Sequence, residues 1–219
     1  SINLKRASKP DRFNKNAQTL ERKYIESKDT THYSIIDDNG NAVSVTYTLG
    51  YSFGSGVTIE GTGILGNNQM NNFAHEYGNG SYRRSASPAN KLEPLKRPMS
   101  TMAPVMVFNK EGKLTLITGS PGGSQIPNIN LQVLINVLDF NLDIGEATML
   151  PRIHQDSQEL ELLLEKTINF DTRRYLGVFG HDIEVSDTIG STQSIHIVDN
   201  MRYGYSDLRR PNAKVSIKK

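Results

Sequence analysis

The sequence predicts an α+β layered domain, in which antiparallel hairpins are followed by helices that pack on a sheet. Three observations lead there. Two stretches of alternating apolar and polar residues flank short polar turns, the period of half-buried strands. A later stretch, Ile129–Phe140, has the spacing and length of a helix. The last third of the chain returns to short β-prone runs. Hydrophobic residues make up 36% of the 219, enough for a core, and charged residues 22%, which reads as an ordinary soluble globular chain of one or two domains.

Residues 1–29 are polar, with Pro10 and little periodicity, and read as a linker with a short helix around Ala17–Tyr24. The core then begins abruptly. His32–Asp37 and Ala42–Leu49 alternate around Asp38-Asn39-Gly40-Asn41, a hairpin signal. A second hairpin is expected from Pro104–Asn109 and Lys113–Thr118, turning at Lys110-Glu111-Gly112. After the helix at Ile129–Phe140, Ile144–Leu150 predicts a shorter one stopped by Pro151. A strand near Leu160–Glu165 precedes a helix over Thr172–Phe179 that Gly180 caps. Ile183–Ser186, Gln193–Val198 and Tyr203–Ser206 read as closing strands. The stretch from about 71 to 98 is rich in Gly, Asn, Ser and Arg and too long for a plain connection, as lids and binding loops are. A disordered insertion would have the same composition. No internal repeat is visible.

Charge and composition exclude several function classes. Up to Asp29 the chain carries eight Lys or Arg against four acids, and from Thr30 onward 19 acids against 17 bases. With no aromatic ladder beside it, the basic leader reads as a solvated linker and no nucleic-acid partner is expected. There is no cysteine, so disulfides and thiolate chemistry are excluded. The five histidines show no HxxH or HExxH spacing, so no metal is expected, and no cofactor motif is seen. No apolar run approaches the roughly 18 residues of a membrane-spanning helix, and no signal peptide is visible. The chain begins with Ser, which suggests a C-terminal piece of something longer.

Chemistry is suggested by Thr30-Thr31-His32-Tyr33-Ser34 and Gly119-Ser120-Pro121-Gly122-Gly123-Ser124 together. A threonine hydroxyl is a weak nucleophile unless a base takes its proton, and a free α-amine on the same residue can be that base. Two successive glycine N–H groups can face a developing oxyanion with no Cβ in the way. Read locally, however, Thr30 is also an ordinary β-prone residue opening a strand, and Pro-Gly-Gly an ordinary turn.

Six blocks in order, and at similar spacing, resemble the small subunit of the γ-glutamyltranspeptidase family. They are Thr30–Ser34, Thr46-Tyr47-Thr48-Leu49, Asn67-Asn68-Gln69-Met70, Lys96-Arg97-Pro98-Met99-Ser100, Gly119–Ser124 and Gly190-Ser191-Thr192-Gln193-Ser194. The resemblance covers Thr30 to about Arg210. It implies half of the αββα sandwich of N-terminal nucleophile hydrolases, with a large subunit of the same precursor supplying the other half. Residues 1–29 would then be the end of the large-subunit region and 30–219 the small-subunit catalytic domain. It also implies autocatalytic cleavage between Asp29 and Thr30, and γ-glutamyl transfer from glutathione or another γ-glutamyl amide to water or an amine through an acyl-Thr30 intermediate. By position, Thr48 would support the nucleophile, Gly122 and Gly123 would form the oxyanion hole, and Ser100, Thr101 and Gln69 would bind the donor. Tyr82 falls near the family's lid tyrosine. The Gly190–Ser194 block reads as support for the fold near the site. A secreted, periplasmic or cell-surface location follows from the resemblance alone.

Two positions depart from the family pattern. Asn72 stands where a carboxylate usually grips the donor's α-ammonium, and Gly50 where an Asn often reaches the donor. Both weaken recognition of a free α-amine, which brings in poly-γ-glutamate depolymerase or transpeptidase activity, or glutaryl-amide acylase activity, as alternatives. An inactive C-terminal fragment lacking its large-subunit half is a further alternative, and a basic binding module built on residues 1–29 has little support.

Overall fold

The computed structural model describes residues 29–74, 87–156 and 161–217. The expected linker helix and Tyr82 lie outside the described residues. The first hairpin consists of β1 (Thr31–Ile36) and β2 (Ala42–Tyr47). Its register runs from Thr31 opposite Tyr47 to Ile36 opposite Ala42. The turn is built locally. Asp37 Oδ1 accepts from the Asn39 and Asn41 N–H groups at 2.9 and 2.8 Å, and Gly40 takes φ 83°. Beyond it lies a two-residue pairing absent from the sequence reading, β3 (Thr58–Ile59) with β4 (Ile64–Leu65).

The main sheet is antiparallel, with the strand order β11 (Met201–Ser206), β10 (Gln193–Val198), β6 (Leu114–Thr118) and β5 (Val105–Phe108). β5 (Val105–Phe108) and β6 (Leu114–Thr118) form the second expected hairpin, and Asn109 Oδ1 holds its turn through the Glu111 and Lys113 N–H groups. β10 (Gln193–Val198) and β11 (Met201–Ser206) close the sheet. Two helices cover one face, α1 (Ile126–Leu138) and α2 (Ile144–Met149). α1 begins three residues before the apolar period suggested, because a 3-10 turn over Gly123–Gln125 leads straight into it. α2 starts at the Asp143 cap, whose Oδ1 accepts from Gly145 and Glu146 N–H. Leu116, Val133, Val137, Ile144 and Ala147 form the buried core between helices and sheet, with Val107 and Tyr205 against it.

Side chains alternate across a strand, so Ile117, next to Leu116 and also fully buried, faces the other way. The β1–β2 hairpin packs on that second face. Ser34 Oγ donates to the Gln193 carbonyl at 2.9 Å and Ser44 Oγ to the Thr118 carbonyl at 3.4 Å. A helix layer, a sheet and a stacked hairpin thus follow one another, consistent with the expected half-sandwich. The hairpin faces are reversed relative to a free-standing one. His32, Ser34, Ser44 and Thr46 point inward, while Tyr33, Ile35, Val43 and Tyr47 are 41–54% exposed.

A smaller sheet has the order β7-β8-β9, from Ile153–His154, Glu161–Glu165 and Asp182–Ser186. β8 and β9 are parallel, bridged by α3 (Phe170–Val178), which Asn169 caps by accepting from Thr172 N–H at 2.8 Å. Gly180 follows at φ 94°.

Candidate active site

Thr30 sits immediately before β1 and is only 4% exposed. Continuing the β1–β2 register by one step places it opposite Thr48. Its carbonyl accepts a 2.7 Å hydrogen bond from Arg210 Nη1. Thr48 Oγ1 accepts from Gly50 N–H at 3.0 Å, so its hydroxyl hydrogen is left for another partner. Gly50 has φ 94°, and a Cβ there would lie 3.2 Å from Asn68 Cβ, so the backbone and the space both suit glycine.

Two residues beyond Thr30, the His32 ring closes one wall. It is 5% exposed, with Nδ1 2.7 Å from Thr46 Oγ1 and Nε2 3.2 Å from Ser34 Oγ. The Ser34 hydrogen is spent on the Gln193 carbonyl, so Ser34 Oγ accepts from Nε2–H, and Nδ1 accepts from Thr46. Burial lowers the His32 pKa to about 4, and the ring is neutral near pH 7. Gly119 lies flat against this ring, and a Cβ built there would overlap Cε1 and Nδ1.

Gly119 opens the glycine-rich turn. Gly122 and Gly123 are both buried, with φ 144° and 53°. Both lie just before α1, where the positive end of the helix dipole favours negative charge. Thr101 Oγ1 donates to the Gly123 carbonyl at 2.7 Å, so this hydroxyl anchors the turn, while Ser100 Oγ accepts from Met102 N–H at 3.2 Å. Behind the turn, Ser120 Oγ accepts from Ser191 N–H at 2.9 Å, and Gly190 (φ 65°) packs on Ile129, Ser120 and Pro121.

A third group of residues runs from Thr48 outward. Gln69 Nε2 donates to the Thr48 carbonyl at 3.3 Å, and Asn72 Nδ2 to Gln69 Oε1 at 2.8 Å. Asn90 is 8% exposed; its Nδ2 donates to the Asn72 carbonyl at 2.7 Å and its Oδ1 accepts from Met99 N–H at 2.9 Å. The stretch expected as a lid is therefore anchored at both ends, with Phe73 buried and Ala74 bridged to Lys91.

The sequence reading missed the charges beneath the site. Arg152, Glu165 and Asp207 are 2%, 2% and 1% exposed. Arg152 Nη2 meets Asp207 Oδ2 at 2.8 Å and also donates to the Thr148 carbonyl. Arg209 grips Glu165 in two places, at 2.6 and 2.7 Å, and reaches Asp207 Oδ1 at 3.2 Å. Burial pushes the Arg152 guanidinium below its ordinary value, with Asp207 opposing the shift. Burial acts on Arg209 in the same direction, yet its bonds to Glu165 and Asp207 outweigh it and the net shift is upward. Two cations facing two carboxylates make the cluster neutral, the condition for burying it. No local signal in the sequence ties Arg209 to Glu165 or Arg210 to Thr30.

Among the described residues no group of three or more His, Asp or Glu could hold a metal ion, and no helix is long and apolar enough to cross a membrane.

A layered α+β fold with a buried threonine heading its first strand defines the class of N-terminal nucleophile hydrolases, and comparison with known proteins agrees. The gamma-glutamyltranspeptidase family model matches residues 1–217, and the chain belongs to that family. It is 45% identical to the glutathione hydrolase proenzyme of Escherichia coli strain K12 over 186 residues, 84% of this chain and 32% of that protein. The chain thus spans about a third of the length of that relative. An acivicin-inhibited gamma-glutamyltranspeptidase structure is 40% identical with a TM-score of 0.77, covering 83% of this chain and 99% of the other. Cephalosporin acylase from Bacillus halodurans is 28% identical with a TM-score of 0.73, covering 86% of this chain and 34% of that one.

Proposed function

We propose that this chain is the nucleophile-bearing half of a γ-glutamyl amide-processing enzyme, with Thr30 as the nucleophile. The observation that carries the reading is the placement of Thr30. It is buried at the head of β1, its carbonyl is held by Arg210, and the wall two residues on meets the Gly119–Gly123 turn. In the first stage the Thr30 hydroxyl attacks the Asp29 carbonyl carbon, and the peptide shifts from nitrogen to oxygen. Water then hydrolyses the ester, leaving a carboxylate on Asp29 and a free α-amine on Thr30. In the second stage that amine takes the hydroxyl proton as Oγ attacks the γ-carbonyl of glutathione or another γ-glutamyl amide. The Gly122 and Gly123 N–H groups stabilise the oxyanion, the proton passes to the departing amine, and water or an acceptor amine releases the acyl group. Autoprocessing is described for the acivicin-inhibited relative, with critical roles for its C-terminus in autoprocessing and catalysis, which supports the first stage.

The partner is a large subunit of the same precursor, the counterpart of the two thirds of the Escherichia coli relative that lie outside the match. The outward apolar face of Tyr33, Ile35, Val43 and Tyr47 supports it, since a covering layer would bury that face. The experiment is intact-mass measurement and N-terminal sequencing of the full precursor. A fragment beginning Thr-Thr-His-Tyr is expected, and Thr30→Ala should stay uncut and inactive; normal processing of Thr30→Ala would remove Thr30 from the mechanism.

A second reading concerns the donor. Asn72 and Gly50 favour donors whose α-nitrogen is acylated, such as poly-γ-glutamate, or glutaryl amides that lack an α-amine. The likeness to a cephalosporin acylase supports amide-acylase chemistry on this fold.

A further inference from the structure

We propose that Ser120 is a positioning residue for the oxyanion hole: its hydroxyl grips the Pro121 carbonyl from behind and so aims the Gly122 N–H, at the other end of the same peptide plane, at the reacting carbonyl. This rests on Thr30 being the nucleophile with Gly122 and Gly123 as its oxyanion donors, and adds what aims those donors.

The C=O and N–H of one trans peptide are coplanar and point in opposite directions. Whatever grips a carbonyl therefore sets where the N–H of the following residue points. Ser120 Oγ donates to the Pro121 carbonyl at 2.6 Å, which fixes the Pro121–Gly122 plane. Gln125 N–H donates to the Gly122 carbonyl at 2.9 Å, which fixes the Gly122–Gly123 plane. Both carbonyls are thus occupied. The Gly122 and Gly123 N–H groups, on buried residues, have no hydrogen-bond partner among the described residues. Buried N–H groups without a partner are rare, and two in succession mark donors kept for a ligand. At φ 144° and 53° the two glycines have no Cβ to resist rotation, so the grip on their carbonyls has to come from elsewhere. The Gln125 bond belongs to the backbone turn that starts α1. The Ser120 bond is the one supplied by a side chain.

Ser120 is itself held. It is fully buried, its single hydrogen is spent on Pro121, and its oxygen accepts from Ser191 N–H at 2.9 Å. Gly190 closes over it, since a Cβ there would lie 2.7 Å from Ser120 Oγ. The segment carrying Ser191 is anchored by the buried charges. Thr192 N–H donates to Asp207 Oδ2 at 3.0 Å, and Arg152 Nη1 donates to the Ile189 carbonyl at 2.8 Å. The Gly190–Ser194 block therefore has a definite task, to present the Ser191 N–H to Ser120 from a rigid base.

The test compares wild type, Ser120→Ala and Ser120→Cys as the full two-part enzyme, with each rate divided by the cut fraction read from intact mass. kcat and KM are measured for release of a chromogenic amine from a γ-glutamyl or glutaryl anilide, whichever wild type turns over faster. Ki is measured for the acid released, glutamate or glutarate, and for the same acid with a boronic acid in place of the reacting carboxyl. Thr30 Oγ adds to that boron, its proton passing to the α-amine, and leaves a tetrahedral anionic centre in the hole. Ser120→Ala should lower kcat about 10–100-fold, short of the roughly 10²–10³ for outright loss of a donor, with KM within about twofold. Boronic-acid affinity should fall by a similar factor and carboxylic-acid affinity by less than about twofold. Ser120→Cys, a weak donor of similar size, should fall between the two. An unchanged kcat in Ser120→Ala, a fall in kcat with unchanged boronic-acid affinity, or equal weakening of both inhibitors would overturn the proposal. Should Ser120→Ala stay uncut or unfolded, Ser120→Cys decides alone. A loss in kcat of about three- to tenfold, matched by the boronic acid only, supports the proposal, and an unmoved kcat overturns it. Failure of both variants to give cut enzyme would make Ser120 a folding residue and overturn it as well. Two results in the reference proteins would instead defeat the underlying reading: a wild type that binds the boronic acid no more tightly than the carboxylic acid, or retained activity in Thr30→Ala.

Discussion

Acidification should loosen this fold through His32 before most carboxylates titrate. The folded pKa is about 4 against 6.5 for the free side chain, so the unfolded chain binds the proton more tightly. The stabilisation is fully present above about pH 6.5 and is lost as pH falls toward 4. Integrating the two titrations gives a loss on the order of 1 kcal/mol at pH 5.5 and roughly 2–3 kcal/mol at pH 4.5. The cause is burial: the ring lies in a pocket sealed by Gly119, where the charged form loses its hydration while the neutral ring keeps its contacts to Thr46 and Ser34. The assay is urea unfolding of the intact protein, followed by circular dichroism at pH 7.5, 5.5 and 4.5 and compared with His32→Gln at each pH. Wild type should lose its advantage over the variant by the stated amounts, whatever the variant costs at pH 7.5. A difference that stays constant from pH 7.5 to 4.5 would refute the reasoning, because it would mean that the ring accepts a proton equally well folded and unfolded.

Other perturbations follow from the same contacts. Asp207→Ala should destabilise by about 3–5 kcal/mol, because Arg152 is left buried without its carboxylate, and Tm and urea midpoint both report it. Gly119→Ala drives a Cβ into the His32 ring and should cost about 1–3 kcal/mol in unfolding free energy; an unchanged urea midpoint would show that the wall yields. Asn72→Asp should raise kcat/KM for donors with a free α-ammonium about tenfold, roughly 1.4 kcal/mol, and leave N-acylated donors unchanged. Equal gains on both donors would mean that residue 72 does not face the α-nitrogen.

The hairpins and helices were legible in the sequence because their causes are local. Asp37 and Asn109 close their own turns, Asp143 caps the helix that follows it, and Gly40, Gly112 and Gly180 take the positive φ that each turn or cap demands. The six family blocks were legible for a similar reason, as contiguous runs whose order could be compared with a known pattern. Boundaries were less so, since α1 starts at Ile126 through a 3-10 turn that apolar spacing does not encode. The two-residue strands β3, β4 and β7 carry too few residues to show a period. The β8–β9 pairing is parallel, and nothing in either strand announces its orientation.

The charges under the site were invisible for a deeper reason. Arg152, Glu165, Asp207 and Arg209 each read as surface residues, because a buried ion is costly unless matched. Their matches lie 44 and 55 positions away along the chain, and Arg210 reaches Thr30 across 180. The sequence by itself determined the longer strands and helices and which threonine can lead a strand. Only the tertiary structure decided which charges are buried, which are paired, and which cation stands beside Thr30, because a charge acquires its environment from neighbours that folding alone brings near.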